Sequence, residues 1–433
     1  MDKKPHFIIQ FVCFAVFFAA VLLQSFTHVI PVKPLNGFDN NDYDSTWDER
    51  AKLNTGFREF FIRSYNQAVY SGFGNITNDN IIEGYHHELY LQFYLNDYTG
   101  SMLRGIYFDV DSAKAVARKN VEETLRLIDT LHQFDIEFLF VFAPSKTWVY
   151  PEYIPEDYHA TDFPLTDYYI ELFKENNIPH IDFLDYFRSV KDTVAYPLYT
   201  RTGTHWAEST MPWVTDSILR KIEELTHLNL PKIQKIDNCV TKDYTDMDRE
   251  LEDQMNLLFP LRKPAVPKPS FVYTDTLDKD RPNLLLIGDS YGTQLVHSGF
   301  AKVFNHWDFW VYNKEISSSR PRFNWRELKK EFDAVTVLQE ADIVLVVFTQ
   351  PWMYNYMFGF PDIAQELLEK GYFNEEEAME TVIQLIKDEP KWYEGVVEQA
   401  EKDSITIEES LTKNARYWLD CQRLKIKRPN HEE

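Results

Sequence analysis

The sequence predicts an α/β protein, built as a three-layer α/β/α sandwich around a parallel sheet, with an N-terminal transmembrane helix and a C-terminal helical tail. Three observations support this fold class. Nearly continuous apolar runs such as residues 136–143 are typical of parallel strands that are buried on both faces. These runs alternate with segments of helical periodicity, which is the order found in doubly wound sheets. The two ends differ from this pattern, since residues 5–32 carry no charge and residues 361–433 are rich in charge.

The composition indicates a folded acidic protein and excludes several classes. Lys and Arg number 45 against 68 Asp and Glu, which gives a net charge of −23, and such a surface disfavours nucleic acid as a partner. Hydrophobic residues make up 44% of the chain, more than a disordered chain carries. Cys13, Cys239 and Cys421 have no metal-ligand spacing, so we predict no disulfide framework, no metal site and no other cofactor.

Residues 1–32 predict a cytoplasmic tip followed by a transmembrane signal anchor. Within residues 7–23 the one polar side chain is Gln10, and a helix of about 20 such residues matches the roughly 30 Å hydrocarbon core of a bilayer. Lys3 and Lys4 precede the apolar stretch and acidic residues follow it, so the rest of the chain should lie outside the cytoplasm. The alternatives are a cleaved signal peptide and a buried core helix, the second of which leaves the basic and acidic flanks unexplained. The anchor and the cleaved peptide both place the C-terminal part in the periplasm or outside the cell, and the anchor makes it a single-pass protein of the inner, cytoplasmic membrane.

The rest of the chain divides into three parts. Residues 33–110 hold an N-terminal entry helix, predicted at 47–72, and a lead-in segment. Residues 111–360 hold the α/β domain, and residues 361–433 form the charged helical tail. Within the α/β domain the elements predicted in order are helix 111–132, strand 136–143, helix 166–176, strand 178–181, helix 207–227, strand 283–287, helix 290–304, strand 308–312, helix 325–338 and strand 342–348.

A serine stands where one buried strand ends and a helix begins. The segment Gly288-Asp289-Ser290-Tyr291-Gly292 follows an apolar run, and ligands of open α/β sheets collect at the carboxyl ends of the strands. The start of the helix offers free backbone N–H groups and a positive partial charge to a developing oxyanion. Ser290 is therefore a candidate nucleophile. The alternative is a serine that only caps its helix.

A histidine lies in another connection that leads into a helix. His205 is followed by Trp206, and helix 207–227 begins immediately after them. Serine needs a base within hydrogen-bonding reach to act as a nucleophile, and neutral imidazole is the usual base. We therefore expect His205 to meet Ser290 at the carboxyl edge of the sheet.

These two motifs, taken in this order, resemble the SGNH (GDSL-type) hydrolase superfamily and its alginate O-acetyltransferase-like (AlgX/AlgJ-like) branch. The serine motif reads GDSYG, and the histidine motif reads YTRTGTHW. Other segments are similar to the same branch, namely Gly56–Glu59, Pro144-Ser145-Lys146 and Thr349-Gln350-Pro351. The resemblance covers about residues 45–360 and implies an SGNH-like fold for the α/β domain.

The resemblance implies a membrane-anchored, extracytoplasmic O-acetyltransferase that acts on an exported or cell-surface polysaccharide. Ser290 would carry the acetyl group as an acyl-enzyme, and His205 would act as general base and then general acid. The backbone at Gly288, Tyr291 and Gly292 would support the oxyanion, together with Asn313. The family's acetyl donor is a multi-pass membrane acyltransferase, and this chain shows no coenzyme A or nucleotide motif.

The sequence departs from the family at the acid that should orient the histidine. The branch has Asp two positions before His, and that position is Gly203; the commoner superfamily spacing gives Thr202. Three interpretations remain open. Another acid reaches His205, a Ser–His dyad suffices with a backbone carbonyl holding the imidazole, or the protein is a catalytically impaired scaffold or polysaccharide-binding member of an acetylation complex. The candidate acids are Asp182, Asp185 and Asp289. A carbohydrate acetylesterase, with water as acceptor, is a further alternative.

Three more residues are candidate substrate contacts. Lys146 follows a predicted strand, Arg320 lies in a serine-rich loop, and Trp206 adjoins the histidine. The structural alternatives are a salt bridge for Lys146, a solvent-facing charge for Arg320 and a core aromatic for Trp206.

Overall fold

The computed structural model describes residues 4–27, 35, 57–274, 279–319, 326–327, 337–338, 340–370 and 375–423. The first part of the predicted entry helix, most of predicted helix 325–338, and Arg320 lie outside these residues.

The bounds of the elements are as follows. The strands are β1 (Ile81–Glu83), β2 (Leu89–Leu91), β3 (Glu137–Ala143), β4 (His180–Asp182), β5 (Lys232–Thr241), β6 (Val266–Thr274), β7 (Leu284–Gly288), β8 (Trp307–Val311), β9 (Glu315–Ser318), β10 (Arg326–Glu327) and β11 (Ile343–Thr349). The α-helices are α1 (Lys4–Thr27), α2 (Arg58–Phe73), α3 (Gln92–Tyr98), α4 (Ser101–Ile106), α5 (Val110–His132), α6 (Lys146–Val149), α7 (Leu165–Glu175), α8 (Phe183–Val190), α9 (Met211–Thr226), α10 (Glu250–Gln254), α11 (Ser290–His297), α12 (Phe360–Lys370), α13 (Glu375–Asp388), α14 (Pro390–Asp403) and α15 (Ile407–Arg423).

The central sheet has seven strands in the order β10-β9-β8-β7-β11-β3-β4. The strands from β8 to β4 run parallel, and the predicted runs 136–143, 283–287 and 342–348 agree with β3, β7 and β11 to within one residue. The prediction of a parallel sheet is wrong at one edge, because β9 pairs antiparallel with both β8 and β10. Tyr312 and Asn313 adopt left-handed backbone (φ 51 and 52). The three-residue turn that they begin is too short for a parallel crossover, so the sheet is mixed.

Two hydrophobic cores lie on the two faces of this sheet. Alternate side chains of β3 point to opposite faces, as the pleat requires. Phe138, Phe140 and Phe142 pack into the core that contains α5 and α7, whereas Leu139 and Val141 pack into the core that contains α8, α9 and α11. The sheet is therefore the middle layer of an α/β/α sandwich.

The two ends of the chain are helical. Helix α1 covers the apolar N-terminal segment, and most of the side chains described within it are exposed. Among the residues that the structure describes, no helix is long and apolar enough to cross a membrane. At the other end, α13, α14 and α15 pack on one another, and their buried side chains, among them Val382, Leu411 and Leu419, join the core that contains α5.

A two-stranded ribbon forms a feature that the sequence analysis missed. β5 and β6 pair antiparallel over residues 232–241 and 266–274. The residues between them, 242–265, form a long connection that includes the short helix α10. This connection brings an acidic side chain to the site described next.

Candidate active site

Ser290 lies at the carboxyl edge of the sheet, as the first residue of α11. The turn from β7 into this helix needs glycine at two positions. A Cβ on Gly288 would lie 2.7 Å from the Val347 carbonyl oxygen on β11, and a Cβ on Gly292 would lie 2.8 Å from the Phe309 ring. Both contacts are closer than real Cβ atoms approach, so the two glycines allow α11 to pack directly against the sheet. Ser290 Oγ is thereby fixed at the sheet edge.

His205 lies within hydrogen-bonding distance of Ser290. The distance from His205 Nε2 to Ser290 Oγ is 2.7 Å, although 85 residues separate the two in sequence. Helix α11 is tied to the histidine segment at two further points, because Tyr291 Oη donates to the Thr204 carbonyl (2.9 Å) and Gln294 Nε2 donates to the Trp206 carbonyl (2.8 Å). The structure thus brings the two predicted residues together.

The carboxylate that contacts the imidazole is Glu250, the first residue of α10. Glu250 Oε1 lies 2.8 Å from His205 Nδ1, and it also accepts the backbone N–H groups of Thr204 (2.6 Å) and His205 (3.0 Å). A carboxylate next to Nδ1 holds the proton on that nitrogen, which leaves the Nε2 lone pair free to accept the Ser290 proton. The arrangement is a Ser–His–Glu relay.

None of the three acids named from the sequence makes this contact. Asp289 is buried and caps α11, accepting from the Tyr291 N–H (2.9 Å) and from Thr349 N and Oγ1 (2.9 and 2.8 Å). Asp182 caps α8 by accepting from the Asp185 N–H (3.0 Å). Of the three interpretations left open by the sequence, the geometry matches the one in which another acid reaches His205. That acid is Glu250, which was not among the candidates.

The sequence carries one weak signal that could have pointed to Glu250. It lies in an acid-rich run, residues 243–253, of the kind that usually forms a solvated surface. Leu251 and Met255, spaced as on one helical face, are both fully buried, so this run packs against the body of the protein. Nothing in the sequence indicates which side of that short helix meets the histidine.

The backbone around the acid explains why glycine occupies position 203. A Cβ on Gly203 would lie 2.9 Å from the Met247 carbonyl oxygen and 2.8 Å from Thr200 Oγ1. The Asp248 carbonyl accepts the hydroxyl protons of Thr200 and Thr202, so the two segments are in direct contact here. The chain that delivers Glu250 fills the space that an acid at position 203 would need.

The charges around His205 favour its protonated form. Burial lowers the pKa of the His205 imidazole, but the charge and hydrogen bond of Glu250, together with the charge of Asp289, outweigh it and raise the pKa above its usual value. Burial raises the pKa of Asp289, against the hydrogen bonds from Thr349 and Tyr291. The imidazole is therefore a stronger base than a free histidine.

The groups available to an oxyanion differ from those predicted. The Tyr291 N–H already donates to Asp289, and Asn313 Nδ2 donates to the Phe358 carbonyl (2.9 Å), so both of these predicted supports are engaged elsewhere. A residue missed from the sequence lies closer. The Tyr312 hydroxyl forms hydrogen bonds with the side chain and backbone of Ser290, and burial raises the pKa of this phenol, so it stays protonated.

Two predicted substrate contacts are buried. Trp206 is completely enclosed in the core and contacts the Tyr291 ring. Lys146 is 1% exposed and binds backbone carbonyls, and burial lowers its pKa against the opposing effect of Glu88. Neither side chain is accessible to a polysaccharide. Arg320, the third predicted contact, is not among the described residues. Within the described ranges, no group of three or more His, Cys, Asp or Glu is placed to hold a metal ion.

Residues 104–306, which include His205, Glu250 and Ser290, match the family model described as "SGNH hydrolase-like domain, acetyltransferase AlgX". A search of curated proteins found no significant match.

Three solved structures of bacterial proteins match this chain at low sequence identity. The O-acetyltransferase domain of Pseudomonas putida AlgJ matches at 14% identity and a TM-score of 0.41, over 65% of this chain and 99% of that one. Pseudomonas aeruginosa AlgX matches at 13% identity and a TM-score of 0.41, over 70% and 71%. Bacillus cereus PatB1 with a sulfonyl adduct matches at 14% identity and a TM-score of 0.36, over 57% and 93%.

Proposed function

We propose that this protein is an O-acetyltransferase that moves acetyl groups onto an exported or cell-surface polysaccharide. The match of residues 104–306 to the family model of an SGNH hydrolase-like AlgX acetyltransferase domain supports this class of reaction. The observation that carries the proposal is the hydrogen-bonded relay from Glu250 through His205 to Ser290, with distances of 2.8 and 2.7 Å. This geometry matches what serine acyl transfer requires of a nucleophile, its base and the orienting acid.

In the first half-reaction Ser290 takes the acetyl group. His205 Nε2 accepts the hydroxyl proton while Ser290 Oγ forms a bond to the acetyl carbonyl carbon of the donor ester. The tetrahedral intermediate collapses as the donor's ester oxygen leaves with the proton from the imidazolium, and acetyl-Ser290 remains. Glu250 holds Nδ1–H and stabilises the positive charge on His205.

In the second half-reaction a sugar hydroxyl takes the acetyl group. His205 accepts the hydroxyl proton as the sugar oxygen attacks the acyl carbon, and it returns this proton to Ser290 Oγ as the acyl–serine bond breaks. In both steps the oxyanion forms next to Ser290. The Tyr312 hydroxyl is the donor that we assign to it, since a hydrogen bond aimed at developing charge is worth about 10²–10³ in rate.

The main alternative from the sequence was an impaired scaffold, and it depended on the missing acid. Glu250 supplies a carboxylate at the expected atom, His205 Nδ1, which favours an active enzyme over a scaffold. A carbohydrate acetylesterase would use the same relay with water as acceptor. The product with and without an acceptor glycan, weighed by mass spectrometry, separates transfer from hydrolysis.

We assign the N-terminal segment as a membrane anchor that holds the enzyme outside the cytoplasm. The support is in the sequence, where an uncharged stretch over residues 5–32 is preceded by Lys3 and Lys4. Cell fractionation should find the full chain in the membrane pellet and accessible to external protease, and deletion of residues 1–32 should abolish both. The full chain in the soluble cytoplasmic fraction would contradict the anchor.

We assign the acetyl donor to a multi-pass membrane acyltransferase partner. The support is the resemblance to the AlgX/AlgJ-like branch, whose acetyl donor is such a partner, and the sequence is consistent with it in carrying no coenzyme A or nucleotide motif. The purified chain should therefore leave acetyl-coenzyme A intact while it turns over a simple acetyl ester. Consumption of acetyl-coenzyme A by the purified chain alone would rule out this division of labour.

The experiment that tests the proposed function uses the full chain in detergent with 4-nitrophenyl acetate. Ser290→Ala should lower the rate of ester turnover by at least about 10³-fold, because the nucleophile is lost. Ser298→Ala is the matched control, since Ser298 follows the same helix and its hydroxyl donates to the Leu295 carbonyl (2.7 Å). Turnover unchanged in Ser290→Ala would refute the proposal.

A further inference from the structure

The ammonium group of Lys146 lies in a cage of backbone oxygens beneath the histidine segment. The side chain is almost completely buried, and Nζ is also ion-paired with Glu88 Oε2 at 2.8 Å. Three of the carbonyls come from one short segment, residues 200–203. The carbonyl oxygens around Nζ belong to Thr200 (2.8 Å), Leu89 (3.0 Å), Arg201 (3.0 Å) and Gly203 (3.4 Å).

Such a cage is unusual because burying a charge costs several kcal/mol unless it is well compensated. Residues 200–203 lie outside the helices and strands, and of the three carbonyls that they turn toward Nζ, that of Arg201 also accepts the Leu89 N–H (2.8 Å). A compact point charge with three donors can bind several converging carbonyls at once, which a planar guanidinium cannot do. Lys146 therefore takes the place that a bound cation would have in such a loop.

The next residues of the same loop are held by a negatively charged group, the carboxylate of Glu250. Glu250 accepts the N–H groups of Thr204 and His205, directly after the carbonyls that Lys146 binds. The ammonium thus fixes the carbonyls of Thr200, Arg201 and Gly203, and the carboxylate fixes the next two N–H groups. His205 is the second of the two residues whose N–H groups Glu250 binds, and its ring lies between Glu250 and Ser290.

We propose that Lys146 is a positioning residue whose buried ammonium organises residues 200–203 and thereby sets the His205 imidazole between Glu250 and Ser290. The proposal rests on the proposed function for its activity readout. Lys146 does not touch substrate or the reacting atoms, since it acts through backbone carbonyls that precede the base.

The first test is Lys146→Met, which keeps the unbranched side chain up to the ε position and removes the ammonium group. We expect kcat for 4-nitrophenyl acetate to fall about 10- to 100-fold with KM changed less than about threefold, because a displaced base slows chemistry without weakening binding. Lys191→Met is the matched control. Lys191 also binds a carbonyl, that of Val149 (2.9 Å), and a carboxylate, that of Glu152 (2.8 Å), but it does not contact residues 200–203. Equal kcat in the two variants would overturn the proposal.

A second test separates positioning from general loss of stability. In Lys146→Ala, added propylammonium supplies the missing part of the side chain, and it should restore kcat in a saturable way; Lys191→Ala should show no such recovery. If the Met and Ala variants do not fold, Lys146→Arg keeps the charge in the wrong shape and should fold with reduced kcat. Wild-type kcat in Lys146→Arg, or no recovery by propylammonium in a folded Lys146→Ala, would overturn the proposal.

A third measurement does not depend on turnover. The rate at which phenylmethylsulfonyl fluoride sulfonylates Ser290, followed by intact mass, reports whether His205 activates the serine. Lys146→Met should slow this labelling and Lys191→Met should not. If the wild-type chain is sulfonylated but never turns over an acetyl ester, the proposed function fails while the role of Lys146 is still decided; equal labelling rates in the two variants contradict that role.

Discussion

At the scale of single residues, Glu250 Oε1 accepts three hydrogen bonds at once. Two come from the backbone of Thr204 and His205 and one from His205 Nδ1. The backbone pair fixes the carboxylate relative to the main chain of the histidine, so the imidazole can turn little without losing its partner. Orientation of the base and choice of its tautomer therefore depend on one side chain.

We predict that Glu250→Gln nearly abolishes ester turnover. The amide oxygen can still accept the two backbone N–H groups and Nδ1–H, but the neutral amide cannot stabilise the imidazolium that forms when His205 takes the Ser290 proton. Loss of the acid in a serine triad lowers kcat by about 10⁴-fold. Asp246→Asn, an exposed acid in the same acid-rich run, is the control and should keep full activity. A Glu250→Gln variant within tenfold of the wild type would show that the relay ends at His205.

The pH dependence of kcat/KM should follow His205. Only the neutral imidazole accepts a proton, so the rate rises with pH as His205 deprotonates, and the raised pKa puts the midpoint above the usual value of about 6.5. Glu250→Gln leaves burial, which lowers this pKa, and the charge of Asp289, which raises it, but removes the larger raising effect of the Glu250 charge, so its residual activity should have a midpoint at lower pH. Identical midpoints in the two proteins would contradict the contact between Glu250 and His205.

At the scale of elements, two connecting segments carry the base and the acid that orients it. Residues 200–205 carry the histidine, and the connection between β5 and β6 carries Glu250. The sequence predicted Ser290 and His205 because each follows a recognisable pattern at the start of a helix. It could not predict Glu250, because the placement of a long connection is a tertiary property. The ribbon was also missed, since Pro267 and Pro269 argue against a central strand and are tolerated only at an edge.

From the contact between these two segments we predict the effect of a substitution at Gly203. Gly203→Ala would put a Cβ 2.9 Å from a backbone oxygen that cannot move without shifting the Glu250 segment. We expect urea unfolding to show a loss of about 1–3 kcal/mol, with reduced kcat. Gly105→Ala is the control, because nothing lies within 4 Å of the added Cβ in helix α4. Adding Gly203→Asp to the Glu250→Gln variant should not restore its activity. Full activity in that double variant would mean that position 203 can supply the acid.

At the scale of the whole molecule, the fold class follows from the sequence more completely than the site does. Strands β3, β7 and β11 are apolar runs buried on both faces, and such runs are visible without a structure. The antiparallel edge at β9 is not visible in the sequence, because it depends on left-handed backbone at Tyr312. Sequence patterns do not mark this aromatic residue as a turn. That same turn brings the Tyr312 hydroxyl to Ser290, so the missed edge and the missed oxyanion donor have one cause.

The measurement that tests the central claim most directly is detection of the acetyl-enzyme. The full chain is mixed with 4-nitrophenyl acetate, quenched in acid and digested, and the peptides are sequenced by mass spectrometry. The relay predicts one acetyl group on Ser290 in the wild type and none at this position in His205→Ala or Ser290→Ala. Ester turnover without acetyl-Ser290, or with the acetyl group on another residue that Ser290→Ala leaves unchanged, would contradict the account.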